Sequence, residues 1–174
     1  MSETVTPLYS AETVHRRIDE LADQIALAVP PDIMLVGLLK GAFMLAADLT
    51  RALDAKGLRP GIEFLQVSSY GLDKESSGRV KVIGGMPTTV DDRDVLLVDD
   101  IQDTGRTLKF TTDLLYENGA RKIWTCALLD KPSRRQVDFE ADFIGFTIED
   151  VFVVGYGIDY AERYRHLPYI GVVS

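Results

Sequence analysis

The sequence predicts an α/β fold, in which a largely parallel sheet is flanked by helices. Short apolar runs that are typical of buried strands alternate with longer segments whose apolar residues recur at helical spacing. The run at 33–39 is continuously apolar, as expected for a strand covered on both faces of a parallel sheet. The length of 174 residues and the apolar content of 46% suit one domain with a substantial core, and we expect 1–174 to form it.

Each predicted helix has a start or stop signal. The first has Ser10 as a suitable N-cap and is stopped by the pair Pro30-Pro31, whereas the other two end at Gly57 and Gly119. The helices are predicted at 11–29, 42–56 and 106–118. The strands are predicted at 33–39, 62–67, 80–83, 95–98, 123–129, 143–148, 151–154 and 169–173.

The polar segment 68–79 interrupts this alternation. It contains Gly71 and Gly78 and has no apolar periodicity, so the residues alone predict a solvated linker, a loop or a long mobile hairpin.

Composition excludes several classes of protein. The net charge of −8 and a pI of about 4.7 do not suit a nucleic-acid-binding surface, which needs a basic face. Cys126 is the single cysteine, so no intrachain disulfide can form and a reducing compartment is expected. The first ten residues lack the apolar core of a signal peptide, and no apolar run approaches the ~18 residues of a membrane span. We therefore expect a cytoplasmic protein that binds neither nucleic acid nor membrane.

The stretch VLLVDDIQDTGRTL, residues 95–108, predicts a ligand site. Ligands of parallel sheets bind at the carboxyl ends of the strands, and Asp99 and Asp100 follow the predicted strand 95–98. Residues 104–107 precede a helix, whose first N–H groups are unpaired and attract anions. Gly105 allows close approach of the backbone, although the spacing of a P-loop is absent. The alternative is that Thr104 is an ordinary helix cap and Asp103 a turn residue.

Two carboxylates beside an anion site would repel the anion unless hydroxyl groups or a cation lie between them. Sugar hydroxyls can donate hydrogen bonds to carboxylates, and Mg²⁺ binds carboxylate together with phosphate oxygens. The residues therefore predict a phosphorylated sugar with vicinal hydroxyls as the ligand.

The stretch 95–107 resembles the 5-phosphoribosyl-1-diphosphate (PRPP) motif of type I phosphoribosyltransferases: an apolar strand, two acidic residues, then D-T-G-[KR]-T. Five other segments resemble the hypoxanthine-guanine members of that family, in the same order along the chain. They are LLKGAF at 38–43, SSYG at 68–71, KVIGG at 81–85, DKPSRR at 130–135 and FVVGYGIDYAERYR at 152–165.

The resemblance implies an enzyme that converts hypoxanthine or guanine and PRPP to IMP or GMP and pyrophosphate, with Mg²⁺ as cofactor. It also implies a small hood formed by the terminal segments, a mobile lid at about 68–79, and a homodimer or homotetramer.

The resemblance further assigns roles to individual residues. Asp99 and Asp100 bind the ribose hydroxyls and, with Asp159, the metal, while Asp103 exchanges the proton at purine N7. The ribose 5-phosphate lies against Asp103, Thr104, Gly105, Arg106 and Thr107.

The remaining implied roles concern the pyrophosphate, the lid and the base. Pyrophosphate binds to Lys40, Gly41 and Arg165, next to a non-proline cis peptide before Lys40. Ser69 and Tyr70 belong to the lid. Lys131 meets the 6-oxo group of the base, Phe152 stacks on the base and Val153 contacts its edge. Without the resemblance, Lys40 is a surface lysine, Phe152 a core residue, and Asp159 and Arg165 a solvated pair.

Two residues depart from the common family pattern. Asp99 stands where many relatives have glutamate, and Arg106 replaces a frequent lysine, which keeps the charge but alters the donor geometry.

Two other functions remain open from the sequence. One is a relative that uses xanthine or a pyrimidine, and the other is a regulator that senses PRPP while binding nucleic acid, against which the charge of −8 argues.

Overall fold

The computed structural model describes residues 4–69 and 80–174. Nine strands and three helices are found in these ranges. The strands are β1 Val5–Tyr9, β2 Met34–Leu39, β3 Gly61–Ser69, β4 Val80–Ile83, β5 Asp94–Gln102, β6 Lys122–Asp130, β7 Phe143–Thr147, β8 Val153–Val154 and β9 Ile170–Val173, and the helices are α1 Ala11–Ala28, α2 Phe43–Ala55 and α3 Arg106–Glu117. Two short 3₁₀ turns lie at Thr88–Val90 and Pro132–Arg134.

Six of the strands form one sheet in the order β4-β3-β2-β5-β6-β7. All neighbouring pairs are parallel except β3 with β4, which are antiparallel. The predicted α/β fold with a largely parallel sheet is therefore confirmed.

Helices cover both faces of this sheet. Leu96 and Val98 of β5 face the side on which α1 and α2 pack, whereas Val95 and Leu97 face α3. This alternation follows from the two-residue period of a strand, and it explains why the central strands are continuously apolar.

A second sheet joins the two ends of the chain. It has the order β1-β9-β8, with Val5 of β1 opposite Val173 of β9 in an antiparallel pair. This sheet corresponds to the predicted hood of terminal segments. Its first strand was not predicted, because β1 contains Pro7, is largely exposed and gains its pairing only from the far end of the chain.

Helix boundaries agree closely with the predictions. The hydroxyl of Ser10 accepts a hydrogen bond from the N–H of Thr13 at 3.1 Å, which caps α1. Gly57 and Gly119 have φ of +88° and +92°, the left-handed conformation that ends α2 and α3.

Three strand predictions were wrong by two residues or more at one end. β3 continues to Ser69, two residues beyond the predicted 62–67. β5 does not stop at Val98 but continues through Asp99 and Asp100, because the equally long parallel strand β6 supplies ladder partners as far as Asp130. In contrast, β8 is shorter than the predicted 151–154 and leaves Phe152 outside the strand.

The predicted lid falls mostly outside the described residues. Ser69 ends β3, whereas Tyr70 and the rest of the segment 70–79 are not described. Among the helices of the described ranges, none has the length and apolar character that crossing a membrane requires.

Candidate active site

A cavity of about 570 Å³ opens at the carboxyl edge of β2 and β5. This is the edge at which ligands of parallel sheets bind. The cavity is lined by eleven of the predicted site residues, namely Lys40, Gly41, Asp99, Asp100, Asp103, Thr104, Gly105, Arg106, Thr107, Asp159 and Arg165.

One wall is the loop that joins β5 to α3. Gly105 is the N-cap of α3 with φ of +83°, a conformation that glycine adopts at little cost. The Thr104 hydroxyl accepts a hydrogen bond from the Arg106 N–H at 3.3 Å, which closes a local turn, but Thr104 is not the N-cap that the simpler interpretation proposed. The first turn of α3 lines the cavity, and the unpaired N–H groups of a helix start make such a wall suitable for an anion.

The second wall carries the two adjacent carboxylates of β5. Asp99 is 6% exposed, and its carboxylate accepts a hydrogen bond from the Asp100 N–H at 2.9 Å. Burial, together with repulsion from Asp100, raises the pKa of Asp99 well above its ordinary value, and burial also raises the pKa of Asp100. Two ionisable groups in this situation favour a ligand that supplies hydroxyl donors or positive charge.

Backbone packs tightly against these carboxylates. A Cβ atom at Gly41 would overlap the Asp100 carboxylate, and one at Gly157 would overlap the Gly41 carbonyl oxygen. Glycine is therefore required at Gly157, where the overlap is with backbone, and at Gly41 a side chain would displace the Asp100 carboxylate. The turn after β2 is thus packed directly against β5. The peptide between Leu39 and Lys40 in this turn is cis, as the resemblance implies.

Cations and carboxylates alternate between the turn after β2 and the loop before β9. The Lys40 ammonium lies 2.8 Å from a Glu162 carboxylate oxygen, and the Arg165 guanidinium lies 3.4 Å from the other one. Arg165 also contacts Asp159 at 3.0 Å. The hydrogen bond and charge of Lys40 lower the pKa of Glu162.

A second chain of charges leads away from the cavity at Asp103. Arg134 Nε donates to Asp103 at 3.2 Å, and Arg134 Nη1 lies 3.8 Å from Asp150. Asp150 in turn lies 3.7 Å from the ammonium of Lys131. Lys131 is only 7% exposed, so its charge is held among these groups rather than in bulk water.

The residues expected to contact a base lie beside the cavity rather than in its lining. Val153 is buried in β8, whereas Phe152 is 54% exposed and meets Tyr160 edge to face, with ring centroids 5.2 Å apart. The interpretation of Phe152 as an ordinary core residue does not fit this exposure. An exposed ring next to a site is available for stacking.

Several residues of the site were not singled out from the sequence. They are Asp130, Arg134, Arg135, Asp150 and Glu162. The motif DKPSRR contains three of them, but side chains that contact other parts of a site through tertiary packing leave no periodic signal.

The donor set suits a hard divalent cation. Mg²⁺ prefers oxygen ligands and uses one or two carboxylates together with substrate phosphates and water. Asp99, which is buried, and Asp100, which is partly buried, provide two carboxylates whose pKa values are raised, so a nearby cation would stabilise their ionised forms. In the described ranges no cluster of three or more His, Cys, Asp or Glu side chains suited to a metal occurs, and two carboxylates meet the needs of Mg²⁺.

Comparisons with known proteins agree with this geometry. Residues 5–161 match the family model described as phosphoribosyl transferase domain. The chain is 44% identical over 168 residues to hypoxanthine-guanine phosphoribosyltransferase of Bacillus subtilis, covering 96% of this chain and 92% of the relative. It is 43% identical over 176 residues to hypoxanthine phosphoribosyltransferase of Escherichia coli, covering 99% and 97%. The crystal structure of a hypoxanthine-guanine phosphoribosyltransferase from Bacillus anthracis matches with a TM-score of 0.89 and 37% identity, covering 99% of this chain and 100% of that one.

Proposed function

The chain belongs to the phosphoribosyltransferase family and is a purine-salvage enzyme, and on this premise we propose how its site works. The substrates are PRPP and hypoxanthine or guanine, and the products are IMP or GMP and pyrophosphate. The observation that carries this proposal is one cavity that combines an anion-binding helix start, the two adjacent carboxylates of Asp99 and Asp100, and the cations Lys40 and Arg165. PRPP needs all three, because it has a phosphate, vicinal hydroxyls and a pyrophosphate.

The ribose 5-phosphate binds at the α3 loop, from Asp103 to Thr107. The N–H groups of this loop and two threonine hydroxyls supply donors, and Arg106 supplies charge. Asp99 and Asp100 accept hydrogen bonds from the ribose 2- and 3-hydroxyls. Their raised pKa values support this role, since hydroxyl donors offset the loss of hydration of the buried carboxylates.

Pyrophosphate binds between the turn after β2 and the loop before β9. Lys40 and Arg165 supply the charge, and Gly41 allows the backbone to approach. Glu162, which contacts both cations, must move away from them when the pyrophosphate arrives. Ser69 and Tyr70 belong to a lid over 68–79 that excludes water from the reacting carbon.

Mg²⁺ would be held by Asp99 and Asp100, with Asp159 contributing through water. When bound, it neutralises charge on the leaving pyrophosphate.

The base binds beside Asp103. Lys131 donates to the 6-oxo oxygen, Phe152 stacks on the ring and Val153 contacts the ring edge with its backbone. N9 of the base bonds to ribose C1 while the bond from C1 to pyrophosphate oxygen breaks, and the proton at N7 passes to the carboxylate of Asp103.

We further propose a homodimer or homotetramer in the cytoplasm. Ile62, Phe64 and Ile83 are exposed on one face of β3 and β4, where a second copy could cover them.

Burial raises the pKa of the Cys126 thiol to about 12, so the single cysteine is inert, which suits a reducing compartment. The charge of −8 gives no support to binding of nucleic acid or of an anionic membrane surface. Light scattering on the purified protein tests the proposed homodimer or homotetramer, because it measures the mass of the assembly.

One assay tests the substrate proposal. The protein is incubated with PRPP, Mg²⁺ and, in separate reactions, hypoxanthine, guanine, xanthine, adenine and uracil. Nucleotide should form with the first two bases, and efficient use of adenine or uracil instead would contradict the proposal. Binding of duplex DNA or RNA at low salt tests the regulator alternative, for which we expect no binding.

A further inference from the structure

Three consecutive carbonyl groups, those of the last residue of β5 and the first two residues of the α3 loop, face the same segment of the chain. The Gln102 oxygen accepts from the Lys131 N–H at 2.9 Å, and the Asp103 oxygen accepts from Arg135 Nη1 at 2.7 Å. The Thr104 oxygen accepts from the Gln136 N–H at 2.9 Å. These three acceptors are therefore fixed by the segment that follows β6.

The orientation of the carbonyls sets the orientation of three N–H groups. In a trans peptide the C=O of one residue and the N–H of the next point in opposite directions. The N–H groups of Asp103, Thr104 and Gly105 therefore point away from the segment after β6, toward the cavity that these residues line. Within residues 4–69 and 80–174 none of the three donates a hydrogen bond, so they remain free for an anion.

Two of these three donors are main-chain N–H groups, and only Arg135 donates from its side chain. Its Nη2 pairs with Asp130 at the end of β6, and the two side chains are only 17% and 11% exposed. Nη1 of the same guanidinium reaches the Asp103 oxygen and, at 3.4 Å, the Gln102 oxygen. A Cβ at Gly105 would lie 3.0 Å from the Arg135 Cδ, so the loop rests directly on this side chain.

The chemistry of this contact requires arginine. A planar guanidinium donates in two directions at fixed angles, whereas a lysine ammonium is a compact charge on a flexible stem. Lysine could keep the ion pair with Asp130, but it would not also hold the Asp103 carbonyl in a fixed orientation.

We propose that Arg135 is a positioning residue, which turns the N–H groups of the α3 loop toward the 5-phosphate of PRPP by holding the carbonyls behind them. This inference rests on the proposed function, because it takes that loop as the phosphate site. Arg135 does not touch substrate. It acts through the Asp103 carbonyl and is anchored by Asp130.

The test uses two ligands that occupy different parts of the cavity. Calorimetry measures the affinity of Arg135→Lys for ribose 5-phosphate, which needs the α3 loop, and for magnesium pyrophosphate, which does not. We expect affinity for ribose 5-phosphate to fall by about 10-fold to 100-fold, as when an orienting interaction is lost. Affinity for pyrophosphate should stay within about twofold. In steady-state assays the KM for PRPP should rise, while the KM for hypoxanthine at saturating PRPP stays unchanged.

Two further variants keep the test decisive. Arg121→Lys makes the same change in a similar two-atom pair, with Asp94 at the other end of β5, and should change neither affinity. Because Asp130 becomes an unpaired buried charge without its partner, the double variant Asp130→Asn/Arg135→Gln removes both charges and should show the same selective loss.

Three outcomes decide the matter. Wild-type affinity of Arg135→Lys for ribose 5-phosphate overturns the inference, and so does equal loss of both affinities, which would indicate only a folding role. If the unmodified protein binds neither ligand, the proposed function itself fails.

Discussion

The two ends of β5 treat their carboxylates in opposite ways. At the amino end, both oxygens of Asp94 accept hydrogen bonds from Arg121, at 2.9 and 2.7 Å, and the pKa of Asp94 is lowered by this partner. At the carboxyl end, Asp99 and Asp100 accept from main-chain N–H groups, and burial raises both pKa values. At the amino end, therefore, the carboxylate is paired directly with a cation, whereas within residues 4–69 and 80–174 neither Asp99 nor Asp100 forms an ion pair and only the more distant charge of Arg165 opposes the rise of the Asp100 pKa.

This difference between the ends of β5 indicates that Asp94 contributes to stability, whereas Asp99 and Asp100 contribute to function. A carboxylate paired with arginine stabilises the folded chain, whereas carboxylates that have lost hydration without a direct ion pair destabilise it until a ligand arrives. Such local conflict is expected at binding sites. Variants at the two ends should therefore affect turnover and stability in opposite patterns.

The largest expected effect is on turnover at the carboxyl end. Asp103→Asn removes the group that exchanges the N7 proton, so turnover with hypoxanthine should fall by about 10²-fold to 10⁴-fold. Affinity for PRPP should change little, because the amide keeps the turn. Steady-state rates and PRPP binding measure the two effects.

Asp94→Asn is the matched control for this experiment, since it makes the same chemical change at the other end of β5. Its turnover should equal that of the unmodified protein. If Asp103→Asn also kept full turnover, Asp103 would have no part in the proton transfer.

The next effect concerns the choice of base. Lys131 has three donors and no acceptor, so a 6-oxo purine offers it a charge-assisted hydrogen bond while adenine presents an amino group. Sites built around such a bond discriminate by ~10⁴-fold or more. Lys131→Gln should reduce the difference between the rates with hypoxanthine and adenine, because an amide can donate or accept a hydrogen bond.

Rates with hypoxanthine, guanine and adenine on both proteins measure this gap. Lys122→Gln is the matched control, since Lys122 begins β6 at the opposite end of the sheet, over the ring of Trp124. An unchanged ratio of hypoxanthine to adenine rates in Lys131→Gln would remove Lys131 from base selection.

The same contrast explains what the sequence could predict. The ends of α1, α2 and α3 follow from local signals such as the Ser10 cap and Gly119, and the motif at 95–107 indicated a phosphate site because its residues are contiguous. In contrast, the pairing of β1 with β9 and the support of the α3 loop by Arg135 join residues distant in sequence. Only the folded chain brings such partners together.

A third prediction concerns stability at the carboxyl end. Asp99→Asn removes a carboxyl group whose ionised form is disfavoured by burial, so the ligand-free protein should become more stable at neutral pH by about 1–3 kcal/mol. The KM for PRPP should rise in the same variant. Thermal unfolding without ligand, followed by kinetics, measures both changes.

The effect of Asp99→Asn should depend on pH in one direction. Because the folded-state pKa of Asp99 is raised, the stability linked to this carboxyl is fully present below its unfolded pKa of about 3.9 and is lost as the pH rises through the folded pKa. The gain in Asp99→Asn should therefore be largest at neutral pH and vanish in acid. A gain that persisted at low pH would contradict burial of charge as its cause.

The smallest effect is expected at the amino end, where Asp94→Asn should lower the melting temperature by no more than about 2–4 °C. Arg121 is largely exposed, so water and salt screen the pair and limit its contribution to stability.

The stability contributed by Asp94 depends on pH with the opposite sign to that of Asp99. Since the folded-state pKa of Asp94 is lowered, its contribution is present above the unfolded pKa and is lost as the pH falls through the folded pKa. The deficit of Asp94→Asn should therefore be constant near neutrality and close only in acid below about pH 3.9. Melting curves across this range at low and high salt measure it, and a deficit that grew as the pH fell would mean that the two ends of β5 do not differ in this way.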